Sequence, residues 1–247
     1  MDFIQTIAKM SVAFDMSAET AGESMAKLAN AYEIPIMQIG KLGDAMNHLS
    51  NSSPTKASNI VDTLGCVTSA TKSFGLSKLQ ATSLANAFIS LGESPDVAGT
   101  AINGMLSTLV TDDKQGKTFQ NALKKIGISA KELKKDISEN GEQALLNFLK
   151  CVRALLEIEQ TGILIDLFGR EYADDVGTLV SGVDQYEKAI QSLQATAKNG
   201  MPEFMGSMEK EFASRSATTA NAMQTLKNQP TNSGINIGLW FCQSLQD

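Results

Sequence analysis

Apolar residues recur at helical spacing along most of this chain, and clusters of Gly, Pro, Ser and Asn interrupt them. Ser17 is placed to cap a helix running to about Glu33, and Pro35 sits as an early residue of the next, which runs to about His48. Asn51-Ser52-Ser53-Pro54 reads as a loop, after which Thr55 opens a helix toward Ser73 that Gly75 stops. Ser77-x-x-Gln80 has the form of a capping box, with Ala81, Leu84, Phe88 and Leu91 as one apolar stripe behind it. Gly92 ends that helix. Ser94-Pro95-Asp96 then begins another, whose inward stripe is Ala98, Ile102, Met105, Leu106 and Leu109. The two are expected to pack as an antiparallel hairpin.

The same junction returns further on. Phe74-Gly75-Leu76-Ser77 and Ile126-Gly127-Ile128-Ser129 share an apolar-Gly-apolar-Ser order, and Ser129-x-x-Glu132 is a second capping box. The second half reads as helices near Glu142–Arg153, Glu171–Val180, Asp184–Ala197 and Met201–Lys227, with breaks at Gly162, Gly169, Gly182 and Gly200. No stretch alternates β-branched residues. The pattern predicts an all-α fold, a succession of helical hairpins joined by short Gly/Ser/Pro junctions, with almost no strand.

Composition narrows the function. Lys+Arg 21 against Asp+Glu 27 gives a formal net charge of −6, so no general pull toward nucleic acid or anionic membranes is expected. The lone histidine, His48, excludes a metal site built on several imidazoles. Cys66, Cys151 and Cys242 lie far apart without a C-x-x-C pair, which predicts buried, inert thiols. The least charged stretch, Val97 to Thr111, is broken by Gly, Asn, Ser and Thr, so no membrane span is expected, and the first residues lack the pattern of a secretion signal.

Each catalytic candidate has a plainer reading. Gln115-Gly116-Lys117-Thr118 resembles the end of a phosphate loop, but Thr111 stands where a further glycine is needed and the preceding segment is helical. It reads as a polar loop opening a helix. Asp112-Asp113 and Asp174-Asp175 are sequence neighbours, about 100° apart on a helix, and read as helix-start acids. Lys124-Lys125 and Lys131 to Lys135 read as solvated faces. Met25, Met37, Met46 and Met105 read as core filling, whereas Met201, Met205 and Met208, with Phe204 and Phe212, form the stripe expected to face a partner. No catalytic, cofactor or metal residue is assigned.

Several segments resemble the core region of bacteriophage tail tape measure proteins. They are Ala13–Gly22, Thr100–Leu106, Leu167-Phe168-Gly169-Arg170-Glu171-Tyr172-Ala173-Asp174-Asp175-Val176 and Ser214–Asn221. The Phe74–Ser77 junction and Gly234–Gly238 add to the match, and the segments fall in the family's order over nearly the whole chain. The resemblance implies a non-enzymatic structural protein, made in the bacterial host cytoplasm, whose long helical form occupies the tail-tube lumen and sets tail length. It implies tail tube, tail assembly chaperone and tail initiator proteins as partners, with release from the tube at infection and with homo-oligomers open. Direct nucleic-acid contact and a stable membrane span are not expected, on the charge and hydropathy given above.

On this reading residues 1–112 form an N-terminal helical-hairpin region, 113–228 a C-terminal helical region, and 229–247 a degenerate, poorly ordered tail. Met1 enters partway through the family's conserved region, Pro230 and Ser233 stand where leucines are expected, and Leu239–Leu245 departs from the family. These departures predict a truncated prophage remnant with a frameshift near Gly238. Phe168, Gly169, Arg170, Glu171 and Tyr172 are expected to form a structural corner with Gly169 in a left-handed conformation. As one helix the 247 residues would reach only about 370 Å, and the glycines and prolines should fold them back, so the chain alone is not expected to be a ruler. Two other classes compete: a peptidoglycan-hydrolase-associated tail module, disfavoured by one Trp and three Tyr, and an unrelated helical adaptor or effector.

Overall fold

The computed structural model describes residues 3–218, so the 229–247 tail, Cys242, the Gly234–Gly238 segment and the end of the Met201–Lys227 helix lie outside the described residues. Serine caps start four of the described helices where the sequence pattern places them. α1 (Phe3–Phe14) and α2 (Ala18–Ala31) are separated by Ser17, whose hydroxyl accepts the Thr20 N–H at 3.0 Å. Pro35 precedes a 3₁₀ turn, Ile36–Gln38, that runs into α3 (Ile39–Ser52). α4 (Ala57–Ser73) starts two residues later than Thr55, and Gly75 ends it at φ 80°. The reciprocal box of Ser77 and Gln80 opens α5 (Lys78–Ser90), and Ser94 with Pro95 at the first turn opens α6 (Pro95–Val110). A 3₁₀ turn, Asp112–Lys114, leads to α7 (Lys117–Lys125), and the box of Ser129 and Glu132 opens α8 (Ala130–Arg153). α9 (Glu157–Ser181) and α10 (Val183–Gln194) follow, and a last helical run begins at 207 and reaches 218. Among the described residues the extended pairing is one isolated bridge, Thr196 to Pro202. The fold is all-α.

Two long helices are bent, each at an identifiable residue. Asn140 leaves helical geometry at φ −157°, and its side-chain oxygen accepts the Gln143 N–H at 3.1 Å, capping the second half of α8. Gly141 beside it is required by sterics, because a Cβ there would meet the Phe74 carbonyl oxygen. That second half is the helix expected near Glu142–Arg153. α9 turns at Gly169, but Gly162 lies within its first half and breaks nothing. The first half of α9, Glu157 to Phe168, is a helix that the sequence pattern does not predict, because Leu156 offers no side-chain cap hydrogen bond to announce it.

The hairpin expected of α5 and α6 is not the dominant packing. α6 packs chiefly along α4, and α5 chiefly against α10 and α4. The α4–α6 approach is close: a Cβ at Gly99 would stand 2.9 Å from the Cys66 Cβ, and Asn103 Nδ2 donates to the Cys66 carbonyl at 3.0 Å. The reason lies in α5, where every residue from Ala81 to Ile89 is buried, so the helix needs neighbours on all sides rather than one. One apolar cluster runs from Ile7 through the α4–α6 centre to Leu193 and Met208.

Candidate functional site

The corner at 168–172 is built from a buried ring, a glycine and a second ring. Phe168 is buried and meets Phe148 edge-on, with centroids 5.9 Å apart and planes at 84°. Gly169 stands at φ 72°, ψ 171°, so its φ is positive as expected while its ψ is extended rather than helical. That region is open essentially to glycine alone. Nothing lies within 4 Å of a Cβ built there, so the constraint is the backbone angle and not crowding. Arg170 and Glu171 point to solvent. Half-buried Tyr172 lays its ring over Gly104 of α6, where a Cβ would sit 3.0 Å from the ring. The 167–176 and 100–106 segments, far apart in the chain, therefore touch.

The 201–212 segment is divided rather than presented as one face. Gly200 at φ 78° and Gly206 at φ 77° keep 201–206 out of helix, so the helix expected from Met201 starts at 207. Met201 is 50% exposed, Phe204 and Met208 are buried, and Met205 and Phe212 are half-buried. Met10 Cε and the Met208 sulfur, the latter 3.1 Å from a Cβ built on Gly43, together fill the space that this glycine leaves open on α3. Asp44, itself buried, accepts the Gly206 N–H at 2.9 Å and the Met208 N–H at 3.0 Å. A helix start leaves such donors unmet, and here α3 supplies the cap across 162 residues of chain. Burial pushes the Asp44 carboxyl above its ordinary range against the pull of those two hydrogen bonds, and Glu209 adds to the rise. Asn47 donates to Ser207 at 2.9 Å, Lys9 pairs with Glu209, and His48 Nε2 meets the Ser192 hydroxyl at 2.9 Å. His48 and Asp44, one helical turn apart on α3, thus have different partners.

A third feature has no counterpart in the sequence reading. The first half of α9 stands up as a ridge with a cleft on each flank, about 680 Å³ beside Leu164 and Gly177 and about 530 Å³ beside Lys125 and Ile163. Its crest carries Ile158 at 84% exposure and Ile165 at 37%, with Leu156 at 70% just before the helix.

The remaining candidates resolve locally. Gly116 caps α7, so Gln115–Thr118 is a loop opening a helix. Asp112 is not an exposed helix-start acid; it is fully buried in the 3₁₀ turn, and its carbonyl accepts from Gln120 at 2.6 Å. Asp174 is exposed, and burial followed by the Asp174 charge raises the Asp175 carboxyl. Cys66 is exposed rather than buried, because α6 covers its Cβ and backbone but not its whole surface; Cys151 is half-buried, and burial raises its thiol. Met25, Met46 and Met105 fill the core, but Met37 is 61% exposed on the 3₁₀ turn. No described helix is long and apolar enough to cross a membrane, and no group of three His, Cys, Asp or Glu among the described residues is placed to hold a metal ion.

Residues 1–169 match the model of a family described as phage-related minor tail protein. The chain is also 31% identical, over 228 residues, to the "Probable tape measure protein" of Halomonas phage phiHAP-1, an alignment covering 90% of this chain and 25% of that protein. The chain thus spans about a quarter of the length of that relative. No solved structure matches.

Proposed function

Because the chain belongs to the phage-related minor tail protein family, we propose that it is a non-enzymatic part of a tail tape measure protein, acting in tail assembly within the tube lumen. The observation that carries this is the 31% identity over 228 residues with the phiHAP-1 protein. Tail tube, tail assembly chaperone and tail initiator proteins are its partners on this reading, and synthesis is in the host cytoplasm. The chain divides near the 3₁₀ turn at 112–114 into two helical regions, with the 168–172 corner joining the second to α6. Its helices fold back on one another, so this chain contributes a packed block and is not by itself the ruler of tail length.

The test is peptide mass spectrometry on purified tails of the encoding phage or lysogen. Peptides of this chain are expected in the tail fraction in register with tube proteins. Tails that assemble without them would overturn the reading.

A further inference from the structure

The ridge on α9 combines four properties that a helix-docking surface needs. Ile158, Gly162 and Ile165 recur at i, i+4, i+7, which places them on one face of the helix, and both isoleucines point away from the core. Nothing lies within 4 Å of a Cβ built on Gly162, so the centre of the crest is low and open, and another backbone can approach it closely. The flanking clefts of about 680 Å³ and about 530 Å³ leave room for side chains reaching down either side. The rim is acidic: Glu157, Glu159, Asp166 and Asp174 line the clefts.

The nearby cations neutralise that rim only at Asp166. Arg153 is held by both oxygens of Asp184 at 2.8 and 2.9 Å, and Lys125 faces Asp166 at 3.9 Å. Glu157 and Asp174 have no ion-pair partner among the described residues. A second copy of this ridge would set like charges against each other, which opposes a symmetric self-contact. An apolar stripe bordered by Lys or Arg meets both the crest and the rim.

We propose that the first half of α9 is a docking ridge for a partner helix that is amphipathic and basic along both edges of its apolar stripe. The proposal does not depend on the tail function and goes beyond it. The partner helix lies across Gly162, its apolar side chains cover Ile158 and Ile165, and its cations reach Glu157, Glu159 and Asp174.

The test uses the full chain and a fluorescent synthetic helix of about five turns, Leu along one face and Lys on both flanks. Its control is the same peptide with Glu replacing Lys. The Lys peptide should bind, with affinity falling as salt rises, and the Glu peptide about tenfold or more weaker. Gly162→Gln places a long polar side chain on the crest where space is open, and it replaces glycine by a better helix former. It should weaken binding about tenfold or more with a melting temperature unchanged or higher, which separates a blocked surface from a damaged fold. Ile158→Ser should weaken binding in the same way. Equal binding of the two peptides, or unchanged binding by Gly162→Gln and Ile158→Ser, would overturn the proposal. So would self-association of the free chain, on a sizing column with light scattering, that Gly162→Gln abolishes, because the occupant is then a second copy.

Discussion

α5 and the first half of α9 are both about three turns long and rich in apolar residues, yet they end in opposite environments. α5 is buried from Ala81 to Ile89, and even Thr82 and Asn86 are inside, with Thr82 donating to the Lys78 carbonyl at 2.7 Å and Asn86 accepting from Ser53 at 2.9 Å. The first half of α9 turns Ile163, Leu164, Leu167 and Phe168 inward and leaves Ile158 and Ile165 in solvent. The difference is where the neighbours lie. α5 is packed by α3, α4, α6, α9 and α10. The first half of α9 sets Phe168 against Phe148 of α8 and Leu164 beside Gly177 of its own second half, and leaves its Ile158 face uncovered. Apolar content alone therefore does not tell a core helix from a docking ridge; covering elements decide it.

The sharpest way to break the comparison is to empty the core end. Phe88→Ala on α5 should cost about 3–5 kcal/mol in chemical denaturation, because it loses a fully buried ring and leaves a cavity. Ile158→Ala on the ridge should stay within about 0.5 kcal/mol of wild type in the same assay. Similar losses at both sites would mean the ridge is covered after all.

The bend of α9 and the cap that α3 supplies to the helix at 207 come next in size. Gly169→Ala forces a Cβ into φ 72°, ψ 171° and should cost about 1–3 kcal/mol, read as a lower melting temperature. Asp44→Ala strands the Gly206 and Met208 N–H groups and should cost about 1–3 kcal/mol, with limited proteolysis appearing first in 201–218.

Asp44 also fixes the sign of a pH effect. Its carboxyl is raised in the folded protein, chiefly by burial, so the fold takes up this proton before the unfolded chain does. The charged form therefore costs stability at neutral pH, and that cost is relieved as pH falls through the raised folded value toward the ordinary carboxylate range. Denaturation curves should show wild type gaining on Asp44→Asn between neutral pH and about pH 4. A gain in the opposite direction would mean the two backbone hydrogen bonds outweigh burial.

The smallest expected effect has the opposite sign. Gly162→Ala should stabilise by about 0.5–1 kcal/mol, because the helix is exposed there and no atom stands in the way. Gly104→Ala is the contrast, since its Cβ would press on the Tyr172 ring and should lower the melting temperature.

The features legible from residue order alone are local. Ser17, Ser77, Ser94 and Ser129 cap helices because the hydroxyl and the backbone donor it satisfies are three residues apart, a distance that no tertiary contact sets. Gly75, Gly92 and Gly127 stop helices because only their own φ is involved. The all-α character follows from the same short-range terms, as does the turn at Gly169. Which helices meet, and what each covers, is settled by packing between distant parts of the chain. The α4–α6 approach depends on Gly99 lying opposite Cys66, Gly141 is required by the Phe74 carbonyl, and the helix at 207 is capped from α3 by Asp44. In each of these pairs the partners are 33 or more residues apart in the chain, and no local pattern records which distant atom will arrive. The Met201–Phe212 stripe divides and the ridge on α9 stays open for the same reason: burial is settled by the sum of neighbours, not by the periodicity of one helix.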